Sequence, residues 1–281
     1  MTTLEKIILP VQSEFAQCRS IYNDALSHEN PLLNHILTDI GSHQGKMMRP
    51  LLVLLVAKLT EKTEKTEKTE KTEETEKTEE TKVADLAAAY EFFHTASLVH
   101  DDVVDDSDER RGEPSIKHLF NNKRAVLAGD YLLSLALHHI SLSNDPRLVQ
   151  VMSEAAASLA NGELLQLNSP ITKDIANSQS HYLKIIENKT AALFRACAQS
   201  GAISANATEE EEAQMRIFGE AIGMMFQIKD DVLDGEITPD LANQLIAGYQ
   251  TTATDILLHY PDTPIRQALM DYTHHVVTRN Y

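Results

Sequence analysis

One apolar helical run that ends in a cluster of aspartates constrains this chain more than any other feature. The run covers residues 83–104, and His94 to Gly112 reads H-T-A-S-L-V-H-D-D-V-V-D-D-S-D-E-R-R-G. Asp101 and Asp105 are four residues apart, so on a helix they share one face. Burying unpaired carboxylates is costly, so two of them on a core helix indicate a cation between them. Oxygen ligands on a rigid helix favour Mg²⁺, which takes waters and phosphate oxygens as its other ligands.

A solvated, acidic helix end is the alternative for a single D-D-x-x-D motif, but the second half of the chain repeats the arrangement. Residues 226–234 read F-Q-I-K-D-D-V-L-D and again close a long apolar helix. Asp230 and Asp234 are four residues apart, and Gln227 lies one turn before Asp230 on the same face. If the two helices face each other, their carboxylates can clamp Mg²⁺ ions around a diphosphate.

Composition limits the fold and the partners. The 281 residues are 42% hydrophobic, with 10 Gly, 9 Pro and no Trp, which favours an all-α, single-domain protein over residues 1–281. The net charge of −17 argues against nucleic acid and against an anionic membrane surface as partners. No uncharged run approaches the roughly 18 residues needed for an integral membrane segment.

The expected compartment is cytoplasmic. Cys18 and Cys197 lie far apart and have no metal or redox spacing, which is typical of a reducing environment. The N-terminus lacks the basic region and apolar core of a signal peptide. Residues 60–82 are a low-complexity T-E-K repeat without an apolar face, and we interpret them as an insertion without chemistry, either helical and solvated or disordered.

Two further segments place cations where an anion could bind. In G-K-M-M-R-P (45–50), Lys46 and Arg49 are three apart at a predicted helix start, beside helix N-terminal amides. Two ordinary surface bases are the alternative for this segment. Lys189 lies in an apolar helix predicted over 178–205 and needs a counter-charge there, unless its ammonium group reaches solvent.

With these motifs together, the chain resembles the trans-isoprenyl diphosphate synthases, particularly the medium- and long-chain polyprenyl diphosphate synthases. The resemblance rests on both D-D-x-x-D motifs, G-K-M-M-R-P, the Arg110-Arg111 pair and the Lys189-Thr190 pair. It runs from about 41 to 234 and resumes near the C-terminus. It implies an antiparallel helical bundle of the isoprenoid synthase type with a central cavity.

The resemblance also implies a reaction. The family condenses isopentenyl diphosphate with an allylic prenyl diphosphate, head to tail, using about three Mg²⁺ ions per site. A homodimer is expected. The implied metal ligands and catalytic aspartates are Asp101, Asp105 and Asp230, with Asp102, Asp231 and Asp234 as further metal candidates.

The resemblance also implies which residues contact the two substrates. The positions that match contacts to isopentenyl diphosphate are Lys46, Arg49, His94 and Arg111. Those that match contacts to the allylic diphosphate are Arg110 and the catalytic Lys189, and Thr190 and Gln227 are further substrate-binding candidates. Arginine suits phosphate because its planar fork donates two hydrogen bonds and keeps its charge. For His94 alone, a satisfied core histidine is the alternative.

Other positions match the surroundings of the family's site. Ala96 and Ser97 correspond to the floor that meets the growing tail, and their small side chains predict a medium- or long-chain product. Routine helix packing is the alternative for this pair. Asp130, Glu163 and Gln166 are candidates for groups that line the site and support the ligands.

The chain departs from the family after Asp234. Relatives continue with a glycine-rich loop whose lysines contact the allylic diphosphate, but here 235–240 leads directly into the next predicted helix, and no lysine follows Lys229. A degenerate, non-catalytic paralogue or a regulatory subunit of a prenyl synthase is therefore the alternative function. A terpene cyclase, which also uses an aspartate-rich helix, is disfavoured because it needs no second diphosphate site.

Overall fold

The computed structural model describes residues 1–61, 73–110, 112–169 and 178–279, with the backbone alone over 73–80. Within these ranges the chain is helical almost throughout, which confirms the all-α prediction. Most of the low-complexity repeat and Arg111 lie outside the described residues, as do their predicted roles. No described helix combines the length and the apolar character that crossing a bilayer requires.

The helices of the first half lead up to the first aspartate motif. They are α1 (Thr3–Ile8), a 3₁₀ turn (Leu9–Val11), α2 (Gln12–Asp24), α3 (Pro31–Ser42), α4 (Met48–Thr60), α5 (Glu73–Val104), α6 (Ile116–Phe120) and α7 (Asn122–Ser141). Two short antiparallel strands, β1 (Glu109–Arg110) and β2 (Glu113–Pro114), follow α5 and pair Arg110 with Glu113. Pro10 lies in the 3₁₀ turn that separates α1 from α2, since proline cannot continue the hydrogen bonding of an α-helix.

The helices of the second half carry the second motif. They are α8 (Pro146–Asn168), α9 (Gln179–Ile186), a π-helical turn (Glu187–Ala191), α10 (Ala192–Ser204), α11 (Glu209–Leu233), α12 (Pro239–Leu258) and α13 (Pro264–Thr278). Thr208 caps the start of α11: its hydroxyl accepts from the N–H of Glu211, whose carboxylate accepts from the N–H of Thr208.

The chain divides into two compact units. The N-terminal unit comprises 13–51 and 68–145, and its core forms where α5 packs against α7, around the fully buried Tyr90 and Phe92. The C-terminal unit comprises 1–12, 52–67 and 146–281. In it, α11 packs against α10, α12 and α13, and α8 packs against α10. That the whole chain is one domain stays a prediction.

Two glycines in α11 allow α10 and the π-turn to lie close. A Cβ at Gly219 would be 2.6 Å from the carbonyl oxygen of Phe194, and one at Gly223 would be 2.5 Å from Cα of Ala191. Such distances are too short for any side chain, so these two positions require glycine for the close packing. It brings the π-turn against the helix that ends in the second aspartate motif.

Candidate active site

The first aspartate motif forms the last turn of α5. The N–H of Asp105 donates to the carbonyl of Asp101 at 2.8 Å, so the helical turn continues through Asp105 and the two carboxylates share a face. Asp101 is half-buried and Asp105 is exposed. The spacing predicted from the sequence therefore holds in the structure, although the helix itself ends at Val104.

Asp102, the second aspartate of this motif, points into the N-terminal unit. Its side chain is 3% exposed, and its Oδ1 accepts from Nε of Arg110 at 2.8 Å and from a terminal nitrogen of that arginine at 2.7 Å. The two Arg110 contacts hold β1 against the end of α5. The buried Asp102 is thus neutralised by Arg110, and its role as a further metal ligand stays a prediction.

The second motif closes α11 in the same manner. Asp231 is 5% exposed, while Asp230 is half-buried and Asp234 is exposed. The Oδ1 of Asp231 accepts from the amide of Gln227 at 2.7 Å, and its Oδ2 accepts from the hydroxyl of Tyr182 at 2.5 Å. Burial raises the pKa of Asp231 to about 6, against the opposing effect of these two hydrogen bonds.

Both helices end in the same backbone motif. After the first, Asp106 has φ +51° and the N–H of Ser107 donates to the carbonyl of Asp102 at 2.9 Å. After the second, Gly235 has φ +76° and the N–H of Glu236 donates to the carbonyl of Asp231 at 2.8 Å. A left-handed residue with this bond is the Schellman cap of a helix C-terminus. Each motif therefore ends in the same backbone cap, with the side chain of its middle aspartate buried and those of the outer two half-buried or exposed.

The position of these carboxylates is electrostatically unfavourable in the absence of a cation. A helix C-terminus carries partial negative charge, and neither α5 nor α11 has a basic residue in its last turn. Within the described ranges no three His, Cys, Asp or Glu side chains are already assembled as a metal cluster. The pairs Asp101/Asp105 and Asp230/Asp234 instead offer oxygen ligands to Mg²⁺, whose other ligands are commonly water and substrate phosphate. The donor chemistry fits that ion.

Lys189 lies in the π-helical turn and contacts α8. Its Nζ is 2.7 Å from Oε1 of Glu163 and donates to Oε1 of Gln166 at 3.2 Å. The counter-charge that the sequence required is thus Glu163, and both α8 candidates meet the lysine. The lysine side chain remains about one quarter exposed, so its ammonium group is held in place without being enclosed.

The neighbouring Thr190 faces α11. Its hydroxyl donates to Oε1 of Gln227 at 2.6 Å, and Gln227 in turn donates to Asp231. Sequence reasoning placed Thr190 and Gln227 in a substrate site separately, and the structure joins them in one hydrogen-bond chain. Tyr182 completes this chain and was missed; its pKa is raised by burial and by the Asp231 charge. Its position seven residues before Lys189, two turns back on the helix, could have identified Tyr182 from the sequence.

The π-turn corrects the prediction of one continuous α-helix over 178–205. A π-turn widens the helix with i→i+5 hydrogen bonds and is frequent at functional sites. Lys189 and Thr190 lie in this turn and contact two different neighbours, α8 and α11. Gly162 permits the approach of α8, because a Cβ there would be 2.8 Å from the backbone nitrogen of Lys189.

We expect Gly162→Ala to lower the free energy of unfolding by about 1–3 kcal/mol, because the new methyl group overlaps backbone that cannot move aside. Gly248→Ala is the matched control: it is also within a helix, and its Cβ would meet nothing within 4 Å. That change should be neutral or stabilise by about 0.5–1 kcal/mol. Urea unfolding measures both, and equal effects would contradict the assigned role of Gly162.

Arg49 and His94 lie together in the N-terminal unit. A terminal nitrogen of Arg49 is 2.9 Å from Nε2 of His94. Since a guanidinium only donates, this ring nitrogen accepts and His94 carries its proton on Nδ1. Lys46 needs a correction: α4 begins at Met48, so Lys46 is exposed on the non-helical segment before it. Met47, with φ +52°, separates it from the helix, so helical spacing does not relate it to Arg49.

The remaining candidates lie on α5 and α7. Ala96 is buried and Ser97 is half-buried, with its hydroxyl donating to the carbonyl of His94 at 2.8 Å. Asp130 is exposed and its Oδ1 is 3.4 Å from Nε2 of His100, so it sits beside the residue that precedes Asp101. These contacts are compatible with their predicted places around a site, and their roles stay predictions.

Comparison with known proteins identifies the family. The family model described as polyprenyl synthetase matches residues 30–274, which includes both aspartate motifs. The chain belongs to the polyprenyl synthetase family. Among curated polyprenyl synthetases, the octaprenyl diphosphate synthase of Escherichia coli is 35% identical over 231 residues, which are 82% of this chain and 66% of that protein. The family recognised from the motifs is thereby confirmed.

Two further polyprenyl synthetase relatives bear on the fold and on length. Component 2 of the heptaprenyl diphosphate synthase of Geobacillus stearothermophilus is 34% identical over 227 residues, covering 81% of this chain and 63% of that protein. The chain thus spans less than two thirds of the length of these curated relatives. A Caulobacter crescentus polyprenyl synthase, solved in complex with calcium and isoprenyl diphosphate, superposes with TM-score 0.86, 24% identity and coverage of 99% and 98%. It shows that the chain has the helical fold of this family, as predicted.

Proposed function

We propose that this protein is a prenyltransferase that condenses isopentenyl diphosphate with an allylic prenyl diphosphate to make a medium- or long-chain polyprenyl diphosphate. The observation that carries the proposal is the paired motif. Two long helices each end with outward carboxylates four residues apart, at the Asp101/Asp105 and Asp230/Asp234 positions, in a chain of the polyprenyl synthetase family.

Separate groups of residues would bind the two diphosphates. Mg²⁺, when bound to these aspartates, would neutralise the allylic diphosphate and charge developing on it as the C–O bond breaks. Lys189 would donate to the same leaving group from its place between Glu163 and Gln166. Arg110 would add a second cation, since its contacts to Asp102 fix the guanidinium and leave other N–H groups of the fork for phosphate.

Isopentenyl diphosphate would be held by the Arg49–His94 pair, together with Lys46 on the non-helical segment before α4 and with Arg111. The double bond of isopentenyl diphosphate attacks the allylic carbon, a C–C bond forms, and a proton leaves the new cation. No described side chain is an evident base, and the released diphosphate is the expected acceptor. Small residues at Ala96 and Ser97 support a product longer than a short-chain one.

A non-catalytic subunit of a prenyl synthase is the second candidate. It is favoured by the short connection after Asp234, which runs through Gly235 directly to the N-cap Thr238 of α12. The Geobacillus relative is itself named as one component of a heptaprenyl diphosphate synthase. In this chain the connection is nevertheless ordered, because Ile237 is 6% exposed and its N–H donates to the carbonyl of Asp231.

Synthesis by the purified protein decides between the two. The assay contains Mg²⁺, farnesyl diphosphate and radiolabelled isopentenyl diphosphate, and chromatography resolves the products by chain length. Metal-dependent long prenyl products are expected. If the protein is folded and binds inorganic diphosphate with Mg²⁺ but makes no product, the active-enzyme proposal is wrong and the non-catalytic subunit is supported. As part of the proposal, the enzyme works in the cytoplasm and releases its product there.

A homodimer belongs to the same proposal. Helix α7 exposes Val126 and Leu137, which are 39% and 51% exposed and lie three helical turns apart on one face. Exposed apolar faces of this kind often mark protein interfaces, and the family resemblance supplies a second copy of the chain as the occupant.

We expect light scattering to give the wild type a mass twice the 31.3 kDa of the chain. Leu137→Asp should shift it to the monomer mass, because a carboxylate would be desolvated in the interface. Ile217→Asp alters an equally exposed apolar residue, 47% exposed on α11, and should leave the dimer intact. A wild-type monomer, or a dimer that survives Leu137→Asp, would contradict this interface.

A further inference from the structure

Arg279, directly after α13, contacts the second aspartate motif. A terminal nitrogen of its guanidinium is 2.8 Å from Oδ1 of Asp230 and also donates to the carbonyl of Phe226 at 2.8 Å. The guanidinium carbon lies 3.7 Å above the centre of the Phe226 ring. Its side chain is 10% exposed. Sequence reasoning did not single out this arginine, although it pairs with Asp230, a proposed metal ligand of α11.

The geometry is that of a built ion pair and not of a chance surface contact. Phe226 and Asp230 are four residues apart, so one face of α11 presents an aromatic ring, a carbonyl and a carboxylate to the same cation. On its own side, Arg279 donates from Nε to the carbonyl of Val276 at 3.2 Å. The guanidinium is thereby fixed from both helices, and a partly buried, well-anchored pair is stronger than an exposed one.

This pair has a consequence for metal binding. A divalent cation that coordinates the Asp230 carboxylate would lie within a few ångströms of the Arg279 guanidinium, and the two positive charges repel. Either the carboxylate keeps the arginine and binds the metal weakly, or the arginine withdraws. A diphosphate carries enough negative charge to give the withdrawn guanidinium a new partner.

We propose that Arg279 sets the divalent-cation affinity of Asp230 by competing for its carboxylate, so that metal binds tightly only together with a diphosphate. The proposal rests on the proposed function, because it takes Asp230 to be a metal ligand. Arg279 is in this respect a positioning residue: it holds Asp230 neutralised and oriented until substrate arrives. It would couple metal binding to substrate binding and limit occupation of the site by metal alone.

The test measures binding of Mn²⁺, whose free form gives an electron paramagnetic resonance signal, with and without inorganic diphosphate. Without diphosphate, Arg279→Gln should bind Mn²⁺ at least about fivefold more tightly than wild type, because the competing charge is gone. Arg279→Lys, which keeps the charge without the fork, should fall between the two. With saturating diphosphate, the advantage of Arg279→Gln should disappear.

Arg266→Gln is the matched control. Arg266 is on α13, the helix that Arg279 follows, and pairs with Asp262 at 2.5 Å, outside either aspartate motif, so its loss should leave Mn²⁺ affinity unchanged. Circular dichroism verifies folding, and if Arg279→Gln does not fold, the Arg279→Lys affinity decides. Affinity equal to or weaker than wild type in the Arg279 variants would overturn the proposal.

The Asp230→Asn variant distinguishes the competition by Arg279 from the assignment of Asp230 as a metal ligand. If it weakens Mn²⁺ binding while the Arg279 variants change nothing, only the competition is wrong. If neither Asp230→Asn nor the Arg279 variants alter Mn²⁺ binding, Asp230 is not a ligand, and both the competition and that part of the proposed function fail.

Discussion

Asp101→Asn should lower the rate of prenyl transfer by roughly 10³-fold or more, the scale expected when the charge of a metal-binding carboxylate is lost. The amide has the same size as the carboxylate but cannot supply its charge to Mg²⁺. The change should cost little stability, because a carboxylate at the negative end of α5, which has no basic residue in its last turn, is itself unfavourable. The half-buried carboxylate at the negative end of α5 is thus expected to be retained for binding and not for folding.

The measurement is the kcat of chain elongation with farnesyl diphosphate and labelled isopentenyl diphosphate over a range of Mg²⁺ concentrations. Asp255→Asn is the matched control, since Asp255 is exposed on α12 and lies outside both motifs. It should retain wild-type activity. An Asp101→Asn enzyme within tenfold of wild type at saturating Mg²⁺ would remove Asp101 from the proposed metal ligands.

Lys189→Met should lower kcat by about 10²–10³-fold, because a methionine fills similar space but offers no charge to the leaving diphosphate. The loss should be in kcat more than in KM if the ammonium acts on charge that develops as the C–O bond breaks. Lys189→Arg should recover only part of the activity, since the bulkier guanidinium must fit between Glu163 and Gln166.

Lys184→Met provides the control for this second experiment. Lys184 lies on α9, is 56% exposed and pairs with Glu187 at 3.1 Å, so its removal should leave both constants near wild type. If Lys189→Met and Lys184→Met have the same kcat and KM, Lys189 has a structural role only. Urea unfolding of Lys189→Met checks that Glu163, left without its partner, has not destabilised the fold.

Most of the fold and the outer carboxylates could be read from the sequence. Helical periodicity and the aspartate spacing fix which residues share a face, and the structure places Asp101 and Asp105 as that argument expects. The inward turn of the middle aspartates was missed. Its signal was present: Asp102 and Asp231 each follow a buried apolar residue, Val99 and Ile228, by three positions.

Two other features could not be read in this way. The π-turn at 187–191 was invisible because the same residues are compatible with an ordinary α-helix, and close packing against Gly162 and Gly223 accompanies the wider turn. The Arg279–Asp230 pair was invisible because the two residues are far apart in the chain and only the packing of α13 on α11 unites them. Periodicity describes one helix at a time and is silent about such contacts.

The π-turn also limits how this helix could have changed in length. A π-turn is equivalent to one extra residue in an α-helix, so deleting a single residue from 187–191 would restore regular α-helical bonding. Because the π-turn accommodates the extra residue locally, α10 would keep its orientation relative to α9, and its buried face, which includes Phe194 and Cys197, would stay in the core. The deletion would instead change the directions of Lys189 and Thr190, which reach Glu163 on α8 and Gln227 on α11 from the turn itself. Loss of one residue here should therefore preserve the fold but disrupt these two contacts.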